Sequence, residues 1–278
     1  MDQAVARKLI ALNNRFYRSH AASFSATRSA PWTGWEKVAR LVEAARGGTG
    51  GTGGAAAFPA PLHVLDVACG NMRLARFLAQ ALPQEHIAYH GIDRCAPLAQ
   101  TSETPDATDR LSVTFHEADI LERLLAPGTR TLSPAGRGLP AAELVACFGF
   151  MHHVPGEAMR AALLRELVAH AAPGGIVAVS FWRFMDDARL AGKAAVSDHG
   201  AVAAPPWEGY DPVDLEMGDH FLGWQDEGGA LRFCHHTDEA ELDRLVASVP
   251  SGHAEECARF SADGRSGELN RYLVLRKR

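Results

Sequence analysis

The side chains best placed to do chemistry in this 278-residue chain are three carboxylates, Asp66, Asp93 and Asp119. Each closes an apolar segment, in Val64-Leu65-Asp66, Gly91-Ile92-Asp93 and Glu117-Ala118-Asp119. The first runs on through Val67-Ala68-Cys69-Gly70-Asn71-Met72-Arg73, small residues that let a chain turn from strand to helix and bring its backbone close to a ligand. The second lies about 20 residues past Gly70, where a carboxylate can accept both hydroxyl hydrogens of a ribose. The third can accept from an adenine amino group. Taken singly, Asp66 also fits a plain strand-to-helix turn, and Asp93 a helix N-cap ahead of Pro97. Together, three acids on successive strand ends favour an adenosine-containing ligand.

A dinucleotide site requires G-x-G-x-x-G/A, and the positions from Ala68 onward carry Arg73 where the third small residue would lie. That weighs against a nicotinamide-dependent oxidoreductase, which stays the rival reading. A nucleoside without phosphates needs only the first turn, and Asp66 can lie beside a cation. His152 and His153 are candidate general bases, since imidazole takes up protons near neutral pH; one of the two is expected to point into a sheet–helix interface. Cys234-His235-His236 contains metal-ligand types, but consecutive side chains on a strand point to opposite faces, so no metal is expected there. The five cysteines include no C-x-x-C pair, which fits reduced thiols rather than a disulfide framework or zinc ribbon.

The elements that position these residues follow from periodicity. Val5, Leu9, Leu12 and Phe16 have helical spacing, and that helix is expected to end before the polar segment around His20. Thr33-Gly34-Trp35-Glu36 has the form of a capping box before a second helix whose stripe is Trp35, Val38, Leu41, Val42 and Ala45. Residues 1–46 form an N-terminal helical arm in which Phe24, Trp32 and Trp35 serve packing. Residues 47–60, dense in glycine, form a linker. Residues 61–278 form the main domain. Apolar segments at 62–67, 87–93, 111–119, 143–150 and 175–182 alternate with helical patterns at 72–82 and 155–170 and a short helix near Pro97, which argues for a parallel sheet covered on both faces. A helix over 238–249 is followed by two neighbouring strands, 253–260 and 269–277. Residues 127–140 are a Pro/Gly-rich surface insertion. Residues 184–230 show no clear period. The insertion 184–236 is expected to form the acceptor side of a site, with Trp182, Trp207, Tyr210 and Trp224 as candidate walls. The net charge of −5 excludes the general basic field of nonspecific nucleic-acid binders, so any RNA contact would be local. No segment has the length of a membrane helix or the pattern of a signal peptide, which points to a cytoplasmic protein.

At this level of detail the sequence resembles the class I S-adenosylmethionine (SAM)-dependent methyltransferases. Asp66 to Gly70 is similar to the family's D-x-[GA]-C-G turn, Asp93 to its ribose acid, Asp119 to its adenine-side acid, and Phe148-Gly149-Phe150-Met151-His152-His153-Val154 to its fourth-strand segment. Ala172-Pro173-Gly174-Gly175 resembles the turn before its fifth strand. Met72 departs from the glycine common there and would narrow the pocket, the one residue that hints at a non-catalytic methyltransferase-like subunit. The resemblance implies a doubly wound, Rossmann-like α/β fold with a mostly parallel seven-stranded sheet in the order 3-2-1-4-5-7-6. It further implies SAM as donor, S-adenosylhomocysteine (SAH) as product, and cofactor contacts from Asp66, Ala68, Cys69, Gly70, Asn71, Asp93, Arg94, Asp119, Ile120, Phe148 and Gly149. A narrower resemblance, carried by Asn14, Phe16, Tyr17, Ala21, Phe24, Ser25, Thr27, Arg28, Pro31 and Trp32 with Asn270-Arg271-Tyr272, is to the branch that esterifies carboxymethyl groups on wobble uridine of tRNA. It implies that Tyr17 and Arg28 lie near the methionine carboxylate, that the acceptor is tRNA, and that a small activator subunit takes part; a small carboxylate or hydroxyl acceptor stays open beside it.

Overall fold

The structure, a computed structural model, describes residues 1–26, 30–47, 61–99, 108–126, 132, 138–224 and 227–278, without the side chains of 21, 22, 24–26, 224 and 227–229. The linker 47–60 and the insertion 127–140 lie largely outside the described residues, as does Arg28.

Apolar runs with β-branched residues form strands β1 (Leu62–Val67), β2 (Ile87–Asp93), β3 (Leu111–Glu117), β4 (Ala142–Cys147) and β5 (Ala171–Trp182), all parallel. After a two-stranded unit, β6 (Asp219–Trp224) and β7 (Glu227–His235), the chain returns with β8 (Ala254–Ala262) and β9 (Asn270–Lys277). The main sheet runs β3-β2-β1-β4-β5-β9-β8, with β9 antiparallel to both neighbours. Counting only the strands of this sheet, that is the expected order 3-2-1-4-5-7-6.

Helices α1 (Gln3–Ala26), α2 (Gly34–Gly47), α3 (Arg73–Ala81), α4 (Ala96–Ala99), α5 (Ile120–Leu125), α6 (Glu157–His170), α7 (Ala188–Ala203) and α8 (Glu239–Ala247) complete the fold. Burial is nearly continuous along β1, β4 and the second half of β5, as a sheet covered on both faces demands. Val145, Val177 and Leu273 face Leu163, Leu164 and Leu245 of α6 and α8. On the other face Val64, Leu144 and Val274 meet Val38, Val42 and Leu78 of α2 and α3. Each such side chain contributes about 1.5–3 kcal/mol when fully buried. Among the described residues no helix is long and apolar enough to cross a membrane.

Three expectations need correction. The first helix runs on to Ala26 because His20 is accommodated within it: its Nδ1 lies 2.9 Å from the Phe16 carbonyl and its ring stacks on Phe16 at 4.8 Å. The second helix is capped from a distance: Thr33 Oγ1 and Gly34 N both donate to Asp263 Oδ1, at 3.1 and 3.0 Å, so an acid in the β8–β9 turn replaces the local box. The aperiodic stretch holds α7 and the β6–β7 pair. Val5, Leu9 and Leu12 of α1 pack with Ala201, Phe221 and Phe233 in a small core of its own.

Candidate active site

The turn after β1 is tightly wound: Ala68, Gly70 and Met72 all take positive φ (60°, 54° and 52°). Such φ values are strained for residues with a side chain, and the turn is held by long-range bonds. Cys69 N donates to the Ile92 carbonyl at 3.1 Å and Gly70 N to Asp93 Oδ2 at 2.9 Å. Asp93 Oδ1 also accepts from Cys95 N at 2.8 Å, so this carboxylate braces two turns at once. It ends β2, where the ribose acid is expected, and rather than capping α4, which starts at Ala96, it closes a turn on Cys95 N. Burial raises its pKa, against the pull of the backbone N–H groups. Asp119 caps α5 through Glu122 N at 3.1 Å and pairs with Arg94 Nε at 3.2 Å.

Asp66 is buried at the end of β1 and accepts a hydrogen bond from the Tyr89 hydroxyl. Burial pushes its pKa from 3.8 to about 7; the Tyr89 bond opposes this, Asp93 adds to it, and Arg73 opposes it. Arg73 is turned away onto the Ala30 carbonyl at 2.6 Å and the rings of Trp32 and Trp35, 5.0 Å from each centroid. Gly149, at φ 69°, must lack a side chain, since a Cβ there would come within 3.0 Å of the Trp32 ring.

These groups line one cavity of about 460 Å³. Of the cofactor-side residues expected from the sequence, Tyr17, Asp66, Ala68, Cys69, Gly70, Asn71, Asp93, Arg94, Asp119, Ile120, Phe148 and Gly149 all line it. Trp32 and Trp35 also line it, beyond the packing role expected of them. Met72 does not narrow it: only 2% exposed, it packs behind the turn near Gly91, which removes the hint of a non-catalytic subunit.

At the far end lie Tyr17, His152, His153, Trp182 and Arg232. The histidines form a short 3-10 turn, Met151–His153; both are buried and both reach the cavity, so neither is lost to a sheet–helix interface. Trp207 and Tyr210, expected as acceptor walls, instead pack edge-on against each other and Phe221, because α1 and β6 offer them a core of their own. The Trp224 side chain lies outside the described residues. Sequence reasoning missed Arg232, Asn13 and Asp263, each of which reaches the cavity only through contacts with distant segments.

Cys234 and His235 face opposite ways, as strand geometry demands. His235 is held between Asp219 (2.6 Å) and Glu241 (2.7 Å), while Cys234 comes within 4.8 Å of the ligand atoms of His152 and His153. That trio is a poor donor set, since burial pushes the Cys234 thiol up to about 12 and both His153 nitrogens lie against other groups.

The cavity suits a cationic nucleoside such as SAM. A cation would draw Asp66 toward its charged form, Asp93 lines the same cavity, and Gly70 and Gly149 let backbone approach. A pyrophosphate would instead meet the carboxylates of Asp66 and Asp93.

Residues 65–177 match the family model described as a methyltransferase domain. The strand order is that of the Rossmann-like methyltransferase fold. The chain is similar in fold to a SAM-dependent methyltransferase from Methanosarcina mazei, at 15% identity over 77% of this chain and 92% of that one, with a TM-score of 0.51. It is likewise similar to an S-adenosylmethionine-dependent methyltransferase from Clostridium acetobutylicum, at 11% identity over 95% and 98%, with a TM-score of 0.52. No curated protein sequence matches it.

Proposed function

We propose that the chain transfers a methyl group from SAM to an oxygen of a small acidic acceptor, a carboxylate or a hydroxyl compound. The observation that carries this reading is the single cavity joining Asp66, Gly70 and Asp93 at one end to Tyr17, His152, Trp182 and Arg232 at the other. When bound, SAM supplies an activated methyl group on a sulfonium. The protein's part is to hold donor and acceptor at attack distance and to exclude water. Asp93 and the Gly70 turn would fix the nucleoside, Asp66 the cationic end, and Trp182 the acceptor's position. The aromatic walls and the absence of a general basic field favour a small acceptor over the tRNA implied by the narrower resemblance.

Calorimetry with SAH and NAD in parallel tests the donor. A low-micromolar SAH isotherm, about −8 kcal/mol, is expected with no heat from NAD. The reverse result sinks the reading. Incubation with methyl-labelled SAM and separated small-molecule and RNA fractions then tests the acceptor: label in tRNA would overturn the small-molecule assignment.

A further inference from the structure

Behind the far end of the cavity lies a buried ion network that touches this end at two points. His235, the last residue of β7, has a carboxylate on each side of its ring: Nδ1 lies 2.6 Å from Asp219 Oδ1 of β6, and Nε2 lies 2.7 Å from Glu241 Oε2 of α8. The second Asp219 oxygen accepts from Glu216 N at 2.9 Å. Arg160 of α6, buried, donates to Glu241 Oε1 at 2.6 Å, to Glu216 Oε2 at 3.0 Å and to the Val154 carbonyl at 3.0 Å. The Met1 amine reaches Glu216 Oε1 at 3.1 Å. His236, the next residue along, is pushed down by burial to about 4 and so carries no charge near neutrality. None of His235, Asp219, Glu241 and Arg160 is among the described residues that line the cavity.

Geometry sets the charge of the His235 ring. A carboxylate can only accept, so two such contacts require a proton on each ring nitrogen, and only the imidazolium has both. Burial works against charge on His235 and on Glu241 alike, but the bonds to Asp219 and Glu241 raise the ring above 6.5, while His235 and Arg160 lower Glu241. Both points of contact lead to His153. Arg160 fixes the carbonyl of Val154, the residue that closes the 3-10 turn Met151–His153. His235 fixes β7 two residues past Phe233, whose carbonyl lies 3.0 Å from His153 Nδ1 and whose N–H and carbonyl both bond to Asn13.

We propose that the His235 imidazolium, bridging Asp219 and Glu241, is a positioning group that holds β7 and the His152–His153 turn in register, so that acceptor methylation depends on a proton outside the cavity. That this end receives the acceptor rests on the methyl-transfer reading. Once the ring loses its proton, one nitrogen keeps an N–H and the other turns a lone pair toward a buried carboxylate, so α8 or β6 must give way. A shift of α8 reaches Val154 through Glu241 and Arg160. A shift of β6 reaches Phe233 through the strand pairing of Asp219 with His235 and Phe221 with Phe233. Either shift moves His153, while the turns at Asp66 and Asp93 stay with the parallel sheet. The positioned state is therefore complete below the raised His235 value and is lost as pH climbs through it.

The test reads the ring nitrogens of the ligand-free protein by long-range nitrogen–proton spectroscopy, with signals assigned from His153→Gln and His235→Gln. His235 is expected to have both nitrogens protonated at pH 7, and the His153 signals to show an inflection where His235 titrates. Glu241→Gln removes one of the two carboxylates, so the His235 midpoint should fall by at least about 1 pH unit, and the His153 inflection should fall with it. A merely structural ion pair would leave that inflection where it was. With methyl-labelled SAM at saturation and the small-molecule fraction as acceptor, the initial rate of label transfer should decline through the same two midpoints. His235→Gln should slow label transfer at pH 7 while binding SAH within about threefold of the unaltered protein, as independent sites do. A neutral His235 at pH 7, a His153 inflection that is missing or does not move in Glu241→Gln, or SAH affinity lost in step with label transfer in His235→Gln would each overturn the proposal. Failure of the unaltered protein to bind SAH would instead remove the methyl-transfer reading, which the ring spectra do not touch.

Discussion

Asp66 makes donor binding a proton-linked event. In the ligand-free protein burial holds this carboxyl at about 7, so it is largely protonated under mildly acidic conditions. The ammonium of the methionine moiety, present in SAM and SAH alike, would draw its pKa back toward the ordinary 3.8 if it lies beside this carboxyl, and binding then has to expel the proton. With a free-state pKa near 7 the ionised fraction is about 3% at pH 5.5 and about 76% at pH 7.5. SAH affinity should therefore rise about 25-fold between those two values, ~1.9 kcal/mol. Calorimetry at pH 5.5 in buffers of different ionisation enthalpy should count close to one proton released per SAH bound, falling toward zero by pH 8. Asp66→Asn, which has no proton to lose, should bind more weakly and with a flat profile. If the unaltered protein shows an affinity independent of pH over this range, with no buffer dependence of the heat, the cation does not sit at Asp66. The same linkage has a consequence for folding. A carboxyl raised in the native state lowers stability as pH rises from 3.8 toward 7, so ligand-free protein should lose this contribution across the window in which it gains donor affinity.

Arg160, 1% exposed, donates to Glu241 at 2.6 Å and to Glu216 at 3.0 Å. Arg160→Met should therefore cost about 3–5 kcal/mol in chemical denaturation, chiefly by stranding the buried Glu241 carboxylate, with part recovered by adding Glu241→Gln. In the same network burial works against charging His235, but its bonds to Asp219 and Glu241 outweigh it and raise its pKa above 6.5. The stability difference between the unaltered protein and His235→Gln should thus be full below pH 6.5 and shrink as pH climbs through the raised value. Denaturation curves at successive pH values would show a constant difference if the ring stays neutral. Gly91→Ala would place a Cβ 2.8 Å from Cys69 Sγ and 3.1 Å from Met72 Sδ, so the donor turn must shift. An overpacking cost of about 1–3 kcal/mol should appear as a lower Tm and at least about a tenfold loss of SAH affinity.

The sheet and the donor end were legible in the sequence because both are written locally. Strand periodicity marks each apolar run, and each acid stands within two residues of its strand's end, so Asp66, Asp93 and Asp119 needed no knowledge of distant contacts. What escaped is what depends on partners far along the chain. Trp207 and Tyr210 read as free aromatic walls because nothing nearby announces that Phe221 and α1 will absorb them. Met72 reads as an obstruction, and only the left-handed turn that swings it toward Gly91 makes it harmless. Arg232 carried no signal at all, since its charge gains meaning only beside Tyr17, 215 residues earlier.

This division bears on how such a site can change its substrate. The donor end is a set of turns attached directly to the parallel strands, and shifting it disturbs the central sheet. On the reading proposed above, the acceptor end lies where α1 meets β7, with Asn13 on the Phe233 backbone and Tyr17 beside Arg232, next to a small core separate from the two that cover the main sheet. Substitutions in that small core move Tyr17 and Arg232 relative to each other while leaving the strand-end acids in place. Acceptor choice and donor affinity are therefore expected to change independently. A fold that keeps the Asp66 and Asp93 turns can accept new acceptors through changes confined to two segments, and so the methyl donor is readable from local sequence while the acceptor has to be read from the packed structure.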